Sequence, residues 1–542
     1  MLPLRAEHGP APLQLSHTAT LTEPDYGLEL QSGRVPEPAV AGRAGLPRWQ
    51  RPTRWQRLAL GRRLTRGPWL LVAILVVQAA LSLRLIWSNT AFGDEALYLW
   101  AGHLEWTHWE YGTPIPNFAA YFSGAPVLYP PLAALADSVA GLAGARVLSL
   151  LFMLGATGLL YATASRLLRS RRTALFACAL FVGLGPTADV GAFATYDAMA
   201  IFLLALATSL AIRSGARTAE ILLACAAVSM ALADGVKYAS LLWNPIVIAL
   251  AALTAQGGLW RGIARAARLT CYSAAILIPA VFVLGGKPYI QGISFTTLDR
   301  QAADGAVSAP VILADSADWA GILFFLAIVG VLAVGRDAGR RIRLTLLVLA
   351  AAVVLAPFHQ AQIHTLTSLY KHVVFGSWFG AVAAGVALAR ASSVNEAKGW
   401  RIGVAAVVFA GILGVGQASN MFAFWPDSAR LTVAVRQALP FASGLMLAPN
   451  ADGHVINYYL GALAGPEGVR DPDSATPSQI GTMIKEGAFS LIIADLPCHA
   501  DPGECQVLRK VAATHRYRAS AVIPWSDHFG SGKFEILSRT FG

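Results

Sequence analysis

The feature that most constrains this chain is the recurrence of apolar runs long enough to cross a lipid bilayer, which takes about 17 to 25 residues per helix. Such runs fall at about 69–87, 147–165, 173–190, 197–213, 219–235, 239–255, 267–284, 319–335, 344–357, 371–389 and 402–418. Only 13% of the residues are charged, against about 25% in an ordinary soluble chain. The expectation is an α-helical polytopic membrane protein of about eleven transmembrane helices. No internal repeat of fixed period accompanies the runs.

The formal charge of +11 could suggest nucleic acid, but Lys and Arg occur in short clusters between apolar runs rather than on one long basic face. Nucleic-acid binding is therefore not expected. Basic clusters precede the first run (Arg62, Arg63, Arg66) and follow the second, fourth, sixth, eighth and tenth. The stretch RLLRSRR, with Arg166, Arg169, Arg171 and Arg172, is the densest. Every second connection is thus basic, as cytoplasmic loops are. An odd number of spans then puts the N-terminus inside and the region from about Asn420 outside, in a multi-pass protein of the plasma membrane. Residues 1–67, rich in Pro, Gly, Ala and Arg without periodicity, are expected to be a disordered cytoplasmic tail, and no cleavable signal peptide is expected.

The segment 127–144, VLYPPLAALADSVAGLAG, is apolar enough to count as a span, but counting it would move RLLRSRR outside. It is better laid along the outer surface as an interfacial helix begun by Pro130 and Pro131. Cys178, Cys225 and Cys271 lie in apolar runs and read as small buried side chains. Cys498 and Cys505, in the outer region, are candidates for a disulfide.

This topology gathers polar groups on one face. Asp94 and Glu95 follow the first span in AFGDEALYLWAG; Tyr196 and Asp197 open the fourth; Lys237 and Tyr238 lie between the fifth and sixth. The connection from the ninth to the tenth carries His359, Gln360, His364, Tyr370, Lys371 and His372. Each has an ordinary explanation: a solvated carboxylate, a snorkelling Lys, an N-cap, a polar-loop His. Lys237 and Lys371 run against the positive-inside bias, however, and ionisable groups at a membrane boundary are functional candidates.

Such a set suits transfer from a polyprenyl-phosphate-linked sugar donor to a glycan, lipid or protein acceptor outside the cell. A carboxylate takes the proton of the acceptor hydroxyl as it attacks the anomeric carbon. Lys, Tyr and His hold the phosphate and stabilise the charge developing on it. The lipid tail stays in the bilayer while the head group reaches the outer pocket.

The order of these features resembles the GT-C superfamily of membrane glycosyltransferases, in the branch of protein O-mannosyltransferases and bacterial aminoarabinose transferases. The matching elements are FGDEALY after the first span, YPPLAAL before the second, the stretch ARVLSLLFMLGATGLLYATASRLLRSRRTALFACALFVGLGP, and an Asp at the fourth span in TYDAMAIFLLALA. The resemblance runs from about Trp69 to Leu253. It implies an inverting transfer at an outward-facing site, with Asp94 as catalytic base, Glu95 its acidic neighbour and Asp197 a second acidic site residue. The branch commonly has Lys-Gly-Pro where this chain has Lys237-Tyr238-Ala239. Lys371 and His372 match no family residue and rest on topology alone. Some relatives bind a divalent metal near the pocket; the acidic and His residues here are of the right chemical type, but no tight spacing such as His-Glu-x-x-His occurs, and no cofactor is assigned.

Three domains follow: the tail, a catalytic membrane domain over 68–419 with outer loops at 88–146 and 285–318, and an extracytoplasmic α/β domain over 420–542. The second outer loop carries Tyr289, Gln291, Asp299, Arg300 and Asp304. In the last domain GLMLAPN, FSLIIADLP, YRASAVIPW and KFEILSRT read as strands, and LTVAVRQALP and PSQIGTMIKEG as helices. Rival readings are a transporter or flippase for lipid-linked sugars, which would need polar groups near the bilayer midplane, and a nonenzymatic envelope-assembly protein that keeps the fold.

Overall fold

The computed structural model describes residues 54–214, 219–298, 306–334, 339–394, 396–439, 445–464, 469–470, 477–497, 502–528 and 530–540. Residues 62–542 form one compact unit. The first described helix of the chain is α1 (Arg54–Ile86); α2 (Gly93–Tyr111) follows, then α3 (Tyr129–Leu168), α4 (Arg171–Gly183) and α5 (Gly185–Val190). Next come α6 (Asp197–Arg213), α7 (Ala219–Val236), α8 (Asn244–Leu253), α9 (Leu259–Pro279) and α10 (Gly286–Ile293). The membrane part ends with α11 (Ala309–Ala333), α12 (Arg340–Ala351), α13 (Leu355–Gln362), α14 (Leu369–Val394) and α15 (Glu396–Met421).

All of the apolar runs fall on helical structure. Seven described helices are long and apolar enough to cross a membrane, carrying the first, second and seventh to eleventh runs. The chain is a multi-pass membrane protein. The remaining runs are shorter or broken: 173–190 divides into α4 and α5 before Pro186, and 239–255 is a 3-10 turn, Tyr238–Trp243, leading into α8 at Pro245. Segment 127–144 opens α3, with Pro in its first turn, and non-helical backbone at Ala140 and Gly141 separates it from the run that follows.

Two expectations change. The connection 285–318 is not an open loop: helical structure continues through Leu298, and α11 begins at Ala309 behind Ser308, with Pro310 in its first turn, where a missing N–H costs nothing. Asp299, Arg300 and Asp304 lie outside the described residues. Cys178 is buried as expected, but Cys225 and Cys271 are exposed on the outer surfaces of α7 and α9. Cys498 and its pairing with Cys505 also lie outside the described residues.

The core centres on α14, which is buried over 94% of its apolar window. Close helix approach in a membrane relies on small side chains. Gly330 of α11 shows why: a Cβ there would lie 1.9 Å from the carbonyl oxygen of Ala383 on α14.

After α15 the chain builds an α/β unit. The expected strands appear as β1 (Leu445–Leu447), β3 (Phe489–Leu496), β4 (Tyr517–Ser526) and β5 (Ser531–Arg539), with the short β2 (Val469–Arg470) added. The order is β2-β1-β3-β5-β4; β1 runs parallel to β2 and β3, and β5 antiparallel to β3 and β4. The expected helices are α16 (Ala429–Ala438) and α18 (Pro477–Glu486); α17 (Asn450–Ala464) and α19 (Pro502–Thr514) were not foreseen.

Candidate active site

Two carboxylates adjacent on a helix point about 100° apart, because 3.6 residues make a turn. In the first turn of α2 this separates Asp94 from Glu95. Glu95 is fully buried and grips Arg146 of α3, with Nε 2.9 Å from Oε1 and Nη2 2.7 Å from Oε2. The same carboxylate accepts from the amides of Ala194 at 2.7 Å and Phe92 at 3.3 Å. Arg146 also donates to the carbonyls of Ile86, Asn89 and Thr90, so all five of its N–H groups are used. This cluster ties the end of α1 to α2, α3 and the turn before α6.

Asp94 points the other way. Its side chain is 42% exposed, and its Oδ2 accepts from Nζ of Lys371, 2.6 Å away and only 3% exposed. Lys371 stands in the first turn of α14, over the Phe92 ring at 4.8 Å. A second pair forms deeper: Lys237, at the turn after α7, donates to Asp197 at the start of α6, whose other oxygen accepts from Thr195. Both members are buried.

Tyrosines connect the two pairs. Tyr98, one turn after Asp94, donates to Tyr196 at 2.7 Å, and Tyr196 is hydrogen-bonded to Ser123. Lys237 Nζ lies 5.2 Å from the centre of the Tyr196 ring. Burial, reinforced by the Asp94 charge, pushes the Tyr98 hydroxyl well above its ordinary range, so it keeps its proton. The Ser123 side is held in register by backbone: the Tyr238 amide donates to the Ser123 carbonyl at 2.9 Å and the Ala125 amide to Gly235 at 2.7 Å. Gly124 is required between them, since a Cβ there would come within 1.9 Å of the Val236 carbonyl oxygen.

Beside these pairs lies a cavity of about 340 Å³ whose polar lining includes Ser123, Lys237, Tyr238, His359, Gln360 and His372. Leu241, Leu242, Ile293 and Ile363 give it an apolar side. Gln360 Oε1 is 3.3 Å from Nδ1 of His372, and its amide nitrogen donates to the carbonyls of Thr365 and Thr367. The Tyr238 hydroxyl is buried and has no hydrogen-bond partner among the described residues.

The structure therefore brings together Asp94, Asp197, Tyr196, Lys237, Tyr238, Lys371 and His372. It sets one candidate apart. His364 is exposed and pinned to Val307 by its ring and its backbone. Tyr370 joins the site by its ring, 5.6 Å from Lys371 Nζ, within an aromatic cluster that includes Phe193 and Trp319.

Residues not foreseen come from α17, which lies along α2. Tyr459 Oη accepts from the Ala91 amide at 3.0 Å, Tyr458 donates to Asp137 at 2.5 Å, and Val455 packs against Ala91 and Ala96. His454 is one turn before Tyr458 on the same helix. Burial pushes its imidazole down to about 4, against the opposing pull of Asp94. Arg146 could have been found in the sequence, as a lone charge at the edge of an apolar run; α17 carried no such signal.

Among the described residues no three His, Cys, Asp or Glu side chains gather as a metal site. Asp94, Glu95 and Asp197 each hold a cationic side chain instead. The residues present do not fit a metal ion, and no step is drawn through one.

No protein-family model matches the sequence, and no curated protein sequence does. Solved structures do. ArnT from Cupriavidus metallidurans, in the apo state, superposes with a TM-score of 0.58 over 87% of this chain and 98% of its own, at 15% identity. The chain has the GT-C fold. That fold recurs in the oligosaccharyltransferase AglB from Archaeoglobus fulgidus, with a TM-score of 0.57 over 87% of this chain and 74% of AglB at 11% identity. The mycobacterial arabinofuranosyltransferase AftD gives 0.52 over 86% of this chain and 40% of its own length, at 16% identity. ArnT has also been solved bound to undecaprenyl phosphate, and the AglB structure holds an inhibitory peptide and a dolichol-phosphate. Within the GT-C fold of this chain, the acidic residue after the first span stands at the start of α2, one turn before Tyr98, which connects through Tyr196 to Ser123 in the cavity wall.

Proposed function

We propose that this protein transfers a sugar from a polyprenyl-phosphate-linked donor to an extracytoplasmic acceptor, with inversion at the anomeric carbon. The observation that carries this reading is the pairing of the part-exposed Asp94 with the buried Lys371, whose neighbour His372 lines the polar-and-apolar cavity. Asp94 is the general base: it removes the acceptor's hydroxyl proton as the acceptor oxygen bonds to the anomeric carbon and the bond from that carbon to the phosphate oxygen breaks. The departing polyprenyl phosphate keeps the electron pair, and Lys237, His372 and the unpartnered Tyr238 hydroxyl meet its charge. The carrier lipids bound in ArnT and AglB, undecaprenyl phosphate and a dolichol-phosphate, correspond to the leaving group of such a transfer and support a lipid-linked donor here. Glu95 we assign to positioning through Arg146, and Asp197 to holding Lys237.

A transporter reading is less well supported. Asp94, Lys371, Asp197 and Lys237 all stand at helix ends rather than midway along broken helices. The test is Asp94→Asn in the purified protein. Transfer should fall by roughly 10²- to 10⁴-fold while binding of the lipid-linked donor persists. Near-normal transfer by that variant would remove the base.

A further inference from the structure

Where α3 ends, far along that helix from the Glu95–Arg146 brace, a crevice of about 320 Å³ opens. Arg146 and Arg166 stand on one unbroken stretch of α3, so the crevice lies roughly 30 Å from the brace beside Asp94, at 1.5 Å per residue. It is walled by the end of α3 and its cap (Arg166 and Arg169), the cap of α8 (Thr254), the start of α12 (Arg341) and Ile212 of α6. Among the described residues no carboxylate lines it. Arg166 and Arg169 make no hydrogen bond or ion pair there, and Arg341 donates only to the Ala255 carbonyl, at 3.0 Å. A fourth guanidinium stands beside these three. Arg265 of α9 is 4% exposed; it donates to the carbonyl of Ala211, the residue before Ile212, and its Nε and Nη1 have no partner among the described residues. Its like-charged neighbours include Arg166, and Glu220, the carboxylate in reach, is paired with Arg268. The helix α12 begins here with neither an acidic residue in its first turn nor a side-chain cap, so its dipole adds to the positive field.

Basic residues that only mark the side of a membrane need to stand in water on a loop. They need not line one crevice beside a buried guanidinium whose donors are left over. A group with several charged oxygens answers all of them at once, and the guanidinium fork matches phosphate oxygens in particular. We propose that this crevice is a binding site for a phosphate group, held by Arg166, Arg169 and Arg341. A soluble phosphate and the phosphomonoester head of a lipid present the same oxygens to it. Bound there, either one ties the end of α3 to α8 and α12. The site is separate from the Asp94 cavity and does not depend on the transfer reaction. Arg169 also supplies a variant that does not threaten the fold: its backbone is left-handed, with φ 49°, where Gly is the unstrained choice. Arg169→Gly removes the guanidinium and relaxes the chain in one step.

The full-length protein is placed in phosphatidylcholine nanodiscs, and its thermal unfolding is followed as sodium phosphate replaces sodium chloride at constant ionic strength. Phosphate should raise Tm, as a ligand of the folded state does. The phosphate concentration that gives half the rise should increase about tenfold in Arg166→Gln and in Arg169→Gly, each of which removes a charge-assisted contact. Arg401→Gln, which takes away an exposed charge of α15 outside the crevice, should respond like the wild type. Nanodiscs that contain phosphatidic acid separate the two sources. A wild type already raised in Tm and no longer responsive to added phosphate identifies the lipid head group as the occupant; a response that persists identifies soluble phosphate. No rise with either phosphate or phosphatidic acid, an equal rise in the wild type and both crevice variants, or an equal weakening in Arg401→Gln would each overturn the proposal.

Discussion

Lys371 Nζ lies 2.6 Å from Asp94 Oδ2, joining residues 277 apart in sequence. The Lys is buried and the Asp is not, so one carboxylate oxygen is committed to the protein while the side chain still meets solvent. A base held in this way has one orientation to offer an acceptor.

Lys371→Met should therefore lower kcat by about 10²-fold, the cost of a small misplacement of a reacting group, with little change in KM for the donor. Lys371→Arg should recover part of the loss. Steady-state kinetics on the reconstituted protein checks both, and wild-type kcat in Lys371→Met would show that the pair does not set the base.

Arg146 satisfies two oxygens of Glu95 and three backbone carbonyls. Removing one partner of a buried ion pair costs about 3–5 kcal/mol, so Arg146→Met should be strongly destabilised. Arg146→Lys keeps the charge but brings only three donors to five contacts, and each hydrogen bond lost costs about 1 kcal/mol or more. Unfolding in detergent measures both; a Lys variant as stable as the wild type would contradict the brace.

His454 is held neutral in the fold, with its imidazole pushed down from the ordinary 6.5 to about 4. The unfolded chain then binds more protons than the folded one between those values. Stability is present above about pH 6.5 and lost as pH falls toward 4. His454→Gln should flatten that part of the curve, and thermal unfolding of both proteins from pH 7 to pH 4 reads the difference. Identical curves would mean that burial of His454 contributes nothing.

The odd number of spans expected from the charge pattern would place the C-terminal α/β unit outside. A phosphatase that is active only outside the cytoplasm, fused after Gly542, should be active, and a fluorescent reporter that folds only in the cytosol should be dark. The opposite pattern would reverse the outward-facing site.

Much of the membrane part was legible because the bilayer imposes a length on apolar sequence. The site was legible in its membership more than its pairing. Sequence put Asp94, Asp197, Lys237 and Lys371 on one face, but nothing local says that Lys371 meets Asp94. Glu95 was drawn toward the chemistry by its adjacency to Asp94; the helical rotation between neighbours sends it to Arg146 instead. His364 looked equivalent to Lys371 and His372 because loop sequence does not reveal which way a turn closes. The helix α17 was missed because NADGHVINYYLGALA mixes polar and apolar residues, and its purpose appears only when Tyr458 and Tyr459 meet Asp137 and Ala91.

The two sides of the cavity differ in how much protein surrounds them. His372 stands on α14, the most enclosed of the membrane helices, whereas Ile293, Thr296 and Thr297 follow α9, buried over only 11% of its apolar window. Widely spaced π-helical turns, Ala280–Gly285 and Ser294–Leu298, flank α10 on that second side. A bulky guest entering the chamber would therefore be walled by packed protein on one side and by a helix that faces the surrounding lipid on the other. Of the groups assigned to the chemistry, Lys371 and His372 ride on the enclosed helix, and Asp94 is tied to it through Lys371.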